Sequence, residues 1–153
     1  MHDQETQVGC IGQWEFGIPR GWSRTENESS NAYFENEIGD KGLYVKLVQL
    51  SEPMKSPSEL AKYIQGVHLD AFTKADGELW TVVDDHGERD LALFRSVLDL
   101  YNNEANYRVL SLVVSTDIEA VQITVHDYWC EDHAASRTQF VEIERSIVRL
   151  SAA

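Results

Sequence analysis

Residues 90–129, DLALFRSVLDLYNNEANYRVLSLVVSTDIEAVQITVHDYW, decide the fold. Three strand-like runs, Asp90 to Tyr101, Tyr107 to Ser115 and Ala120 to Trp129, are separated by two short polar turns, Asn102 to Asn106 and Thr116 to Glu119. Connections this short join antiparallel neighbours, because parallel pairing needs a crossover of about a dozen residues or more. Upstream, Leu79 to Val83 reads as one more strand, joined through Asp84-Asp85-His86-Gly87 as a turn. The second half of the chain is therefore expected to be a four-stranded antiparallel meander.

Working outward, Ser56-Pro57-Ser58-Glu59 opens a helix. Ser56 suits the N-cap, Pro57 the first helical position and Glu59 the third. Leu60, Ile64, Val67 and Ala71 follow at helical spacing, and Ala75-Asp76-Gly77 ends it. Three short strands precede this helix: Gln7 to Phe16, Ala32 to Glu37 and Leu43 to Leu50. The last is apolar on both faces, which predicts cover on both sides. Between the first two, Pro19 and Gly21 break the chain and Trp22 is expected to plug the break onto the core. A closing amphipathic helix begins at the N-cap Asp132 and buries Ser136, Phe140, Ile143, Ile147 and Leu150. The expectation is a single α+β domain over residues 1–153, of order βββαββββα. Its antiparallel sheet of about six or seven strands is flanked by helices.

The charge balance narrows the partners. The chain has 13 Lys and Arg against 26 Asp and Glu, a net charge of −13. Binding to phosphate backbones depends on Lys and Arg, so nucleic acid and anionic membrane are poor partners and a basic protein surface is a better one. There is no apolar run long enough to span a bilayer, so no membrane insertion is expected. Met1-His2-Asp3-Gln4-Glu5 lacks the pattern of a secretory leader. With only Cys10 and Cys130 and no disulfide framework, the expectation is a cytoplasmic protein with reduced thiols, or a periplasmic one if a leader has been removed.

The element order, together with Phe16-Gly-Ile-Pro-Arg-Gly-Trp22 and Phe140-Val-Glu-Ile-Glu-Arg-Ser-Ile147, resembles the Mog1/PsbP-like superfamily, and in particular its small bacterial DcrB-related members. The resemblance spans nearly the whole chain and carries no catalytic motif. It implies an antiparallel sheet with helices on its faces, and binding in place of catalysis. Members of the superfamily include a nuclear import factor, a photosystem subunit and bacterial chaperones of type VI secretion effectors. The leading expectation is a non-catalytic, immunity-type protein that neutralises a toxin through an acidic surface. Two alternatives stand beside it: an effector chaperone that holds an apolar client segment, and a metal- or thiol-dependent enzyme built around Cys130.

The candidate residues follow from these readings. Asp84, Asp85, His86, Glu88 and Asp90 form an acidic hairpin tip, and Glu26, Glu28, Glu35 and Glu37 a second acidic patch, both suited to a partner protein. Trp80 and Trp129 sit at strand ends, where a tryptophan can anchor an interface. His126 and Cys130, four residues apart, would share a strand face, with His133 just beyond them, a conceivable but incomplete zinc set or nucleophile–base pair. That spacing matches no standard metal motif, and a half-buried thiol at a strand end accounts for Cys130 equally well. Cys10 and Cys130 become neighbours if the first and last strands meet. No glycine-rich phosphate loop, Gly-x-Ser-x-Gly elbow or HExxH is present, and no cofactor is expected. The partner expected is another protein, a toxin or secreted effector; a homodimer is compatible with the same surface.

Overall fold

The computed structural model describes residues 6–25 and 31–150. The elements are β1 (Thr6–Ile11), β2 (Trp14–Pro19), β3 (Ser23–Thr25), β4 (Asn31–Glu35), β5 (Lys41–Gln49), α1 (Pro57–Asp76), a 3-10 turn (Gly77–Leu79), β6 (Trp80–Asp90), β7 (Leu93–Asn102), β8 (Tyr107–Ser115), β9 (Glu119–Asp127), α2 (His133–Ser146) and β10 (Val148–Arg149). Seven strands form one antiparallel sheet in the order β3-β4-β5-β9-β8-β7-β6, and β1-β2-β10 form a second. The expected meander is β6 to β9, and the α+β class with helices on the sheet faces is as read.

Period-two alternation sorts the large sheet into two faces. One carries Val97, Leu110, Leu112, Val114, Val121, Ile123 and Val125, packed against Trp14, Phe16 and Ile18 of β2 and Phe140 and Ile143 of α2. The other carries Leu98, Leu100, Val109 and Val113, beneath Leu60, Ile64 and Phe72 of α1. The result is three layers: α1, the seven-stranded sheet, then α2 beside the small sheet. The Ser56 hydroxyl accepts from the Glu59 N–H at 3.3 Å, so α1 is capped where the sequence places it. Asp132 caps α2 by accepting from the Ala135 N–H at 2.9 Å.

Several boundaries depart from the sequence reading. Gln7 to Phe16 is not one strand: the chain reverses at Gly12, with φ +56, giving the β1–β2 hairpin. The closing helix stops at Ser146, and Val148 and Arg149 leave it to pair with β2, so Leu150 is not on its buried face. Arg95 fixes that stop by donating to the Glu144 and Ile147 carbonyls at 3.1 and 3.2 Å. Asp84-Asp85-His86-Gly87 is not a turn, because β6 continues through it to Asp90 and the reversal falls at Leu91, with φ +57. Cover over β5 is complete on one side and partial on the other: Leu43 and Val45 are wholly buried, whereas on the α1 side Val48 and Leu50 pack beneath Leu60 and Ile64 but Tyr44 and Lys46 are exposed. Trp22 is buried, as the plug it was expected to be.

Candidate functional site

The acidic segment lies on β6, the edge strand of the large sheet, so its outer rim is unpaired. Alternation puts Asp84, His86, Glu88 and Asp90 on the α2 side and Asp85 on the α1 side. Two of these charges are already held by the protein's own arginines. Asp84 pairs with Arg137 of α2 at 3.2 Å and with His86 at 3.0 Å, and Asp90 pairs with Arg95 at 3.0 Å. Burial alone would raise the Asp84 pKa; His86 and Arg137 outweigh it and hold the carboxyl below its ordinary value. The Asp85 and Glu88 side chains are exposed and have no ion-pair or hydrogen-bond partner among the described residues. Glu26 and Glu28 lie outside the described residues. Trp80 is half-buried, packed edge-on to Phe72 and Tyr107 at centroid distances of 4.9 and 5.4 Å, while Trp129 is 56% exposed.

The sheet separates His126 from Cys130 and His133. Strand β9 ends at Asp127, so the alternation that would align His126 with Cys130 does not continue to residue 130. His126 lies on the α1 side, where its Nδ1 is 2.6 Å from the Tyr107 hydroxyl. Burial, and after it the charge of His68, lowers its pKa to about 4. Cys130 and His133 belong to the α2 side, with Arg108 and Asp127. The Cys130 thiol is 2% exposed. Burial first, then the Asp127 carboxylate, push its pKa up against the opposing pull of Arg108. A thiol so held is a poor nucleophile at neutral pH. Cys10 and Cys130 are both free, Cys10 exposed on β1 and Cys130 buried, and they do not pair.

Beside Cys130 sits a buried ion network. Arg108 forks onto Asp99 at 3.0 and 2.7 Å and donates to the His133 carbonyl at 2.7 Å; Arg137 reaches the same Asp99 at 3.3 Å. The network ties β7 and β8 to the first turn of α2. Next to it, Asp40, Lys41, Asp127, Trp129, Glu131 and Asp132 surround a cleft of about 270 Å³.

One feature has no counterpart in the sequence reading. On the α1 side an aromatic run crosses the sheet from Tyr44 through Tyr33, Tyr128 and Tyr107 to Phe72 and Trp80, with His126 and His68 beside it. Burial and its hydroxyl partners raise the Tyr33 pKa, and burial raises that of Tyr107, so both phenols stay neutral. Next to this run, a groove of about 370 Å³ opens between α1 and strands β5 and β9, lined by Lys46, Val48, Tyr63, Val67, His68 and Gln122. The signal was present as the matching strand parity of Tyr33, Tyr44 and Tyr107, but it appears only once the strand register is known.

The solution structure of cyanobacterial PsbP (CyanoP) from Synechocystis sp. PCC 6803 superposes with a TM-score of 0.69, covering 97% of this chain and 94% of that one. The fold is PsbP-like. At 13% identity the likeness concerns the fold alone. A protein of Bacteroides thetaiotaomicron VPI-5482 superposes at a TM-score of 0.48 and 8% identity, over 95% of this chain and 48% of that one. No family model matches the chain, and no curated protein matches it. Among the described residues, no helix is long and apolar enough to cross a membrane.

Proposed function

We propose that this PsbP-like domain is a non-catalytic binding module that docks a basic polypeptide on its acidic surface, in the manner of an immunity protein masking a toxin. The observation that carries the reading is β6. An eleven-residue strand stands at the edge of the large sheet with its rim open, and its Asp85 and Glu88 charges are unspent. The net charge of −13 adds a long-range field that speeds and orients encounter with a basic surface. The placement of His126 across the sheet from Cys130, and the raised pKa of that buried thiol, fit a binding role better than thiol chemistry.

The test is co-purification with the product of the neighbouring gene, followed by affinity measurement across salt concentrations. Affinity is expected to fall about tenfold or more between roughly 50 and 300 mM salt, and Asp85→Asn with Glu88→Gln to slow association. Binding indifferent to both salt and this pair would overturn the reading.

A chaperone for an apolar segment is the second reading. It draws support from the uncovered part of the α1 face, where Tyr44, Tyr63 and Val67 are 38%, 61% and 55% exposed beside the groove. Its signature is salt-insensitive capture of an apolar peptide, lost in Val67→Asp.

A further inference from the structure

The cleft at the start of α2 contains a buried carboxylate oxygen without a hydrogen bond. Asp127 is 2% exposed, yet its Oδ1 has no hydrogen-bond partner. The nearest cation, Lys41 Nζ, stands 4.0 Å away, outside hydrogen-bond reach, and is shared with Asp40 at 3.9 Å. A buried carboxylate oxygen left in this state is costly unless a donor reaches it, and a charged donor offsets the cost best. The remaining walls point to the donor's sign. Glu131 and Asp132 add two more carboxylates, so Lys41 faces four acids in one small space. Part of that acidity is engaged locally, since Asp132 caps α2 and Asp40 accepts from Asn36 Nδ2 at 2.6 Å. The Asp127 oxygen is not.

Size and shape narrow the ligand. At about 270 Å³ the cleft falls below the roughly 300–1,000 Å³ usual for whole small molecules, and suits one inserted side chain. Among the described residues no three His, Cys, Asp or Glu side chains converge to hold a metal ion. The Trp129 indole, 56% exposed, forms one wall and offers a face on which a planar cation can stack. A guanidinium meets both demands, forking onto a carboxylate while lying flat on an indole; an ammonium meets only the first.

We propose that this cleft receives one arginine side chain of the basic partner, with Asp127 as the buried anchor and Trp129 as the stacking wall. The assignment rests on the docking function proposed above and supplies its point of specificity.

The experiment is an NMR titration of the intact protein with the blocked tripeptide acetyl-Gly-Arg-Gly-amide, following the Trp129 indole N–H, with the lysine and citrulline tripeptides as controls. The arginine peptide is expected to saturate near the millimolar range, to bind several-fold tighter than the lysine peptide, and to outbind citrulline by about tenfold or more. Asp127→Asn should weaken it about tenfold, and Trp129→Ala, on the exposed rim where folding is not at stake, about threefold. An unmoved Trp129 signal, or affinity unchanged in both variants, overturns the proposal. The two readings fail separately. If a basic partner's binding is lost in the Asp85→Asn, Glu88→Gln pair but untouched by Asp127→Asn and Trp129→Ala, the cleft assignment falls and docking stands. If the tripeptide saturates the cleft but no basic polypeptide binds, docking falls and the cleft stands.

Discussion

Asp99→Asn is expected to cost about 3–5 kcal/mol of folding stability, the range found when one partner of a buried ion pair is removed. The structure places this case at the severe end. Asp99 is 1% exposed and Arg108 4%, and the carboxylate takes two hydrogen bonds from Arg108 and a third from Arg137. Removing the charge leaves two guanidiniums facing a neutral amide, one of them with no route to water. Urea unfolding followed by tryptophan fluorescence reads the loss. With a slope of about 2 kcal/mol per molar urea, the midpoint should fall by about 1.5–2.5 M. The companion variant, Asp99→Leu with Arg108→Met, should recover most of the loss, because apolar replacement of a whole buried pair is often neutral. A single-variant loss below about 1 kcal/mol, or a double variant no more stable than the single, would refute the argument. A loosened network should also free the His133 carbonyl and with it the first turn of α2, so exchange protection of the amides after Asp132 should drop in Asp99→Asn.

Three further outcomes follow from residues already described. Burial lowers His68 and His126 to about 4 from the ordinary 6.5, so between those values the unfolded chain binds more protons than the native one. Stability should therefore be full above about pH 6.5 and decline as pH falls towards 4, by up to ~3 kcal/mol per histidine. Melting midpoints across that range should show this, and His68→Leu should flatten the decline; an unchanged slope would count against it. Ellman's reagent at about pH 8 should label exposed Cys10 at once and buried Cys130 only on unfolding, so two fast thiols would contradict the burial given to Cys130. Leu91 holds φ +57 while 90% exposed, so Leu91→Gly should raise stability by about 0.5–1 kcal/mol in the same urea assay, and a loss would show that the turn is not strained.

Where local chemistry and tertiary demand agree, the elements were legible. Tyr107–Ser115 is a strand with the boundaries its apolar run prescribes, and Ser56-Pro57 opens α1 where capping chemistry places it. The failures have a common cause. Gly87 read as a turn residue, but a Cβ there would strike the Phe94 ring at 2.6 Å, so the glycine admits a neighbouring side chain within a continuous strand. The real reversal uses Leu91, a residue no turn preference would select. Of the site, the negative charge and the exposure of Trp129 were legible. The burial of Asp127 was not, because it depends on α2 folding back over the end of β9, a packing event with no local signature.

The open rim of β6 also bears on colloidal behaviour in acid. At neutral pH the carboxylates along that edge repel a second copy that would otherwise add its own strand to the free amides and carbonyls. Protonation removes this repulsion residue by residue, and Asp84, whose carboxyl is held below its ordinary value, keeps its charge to lower pH than an unperturbed aspartate would. Acidification below the ordinary aspartate range should therefore remove this guard and favour strand addition between copies at the β6 edge, beginning only as Asp84 neutralises.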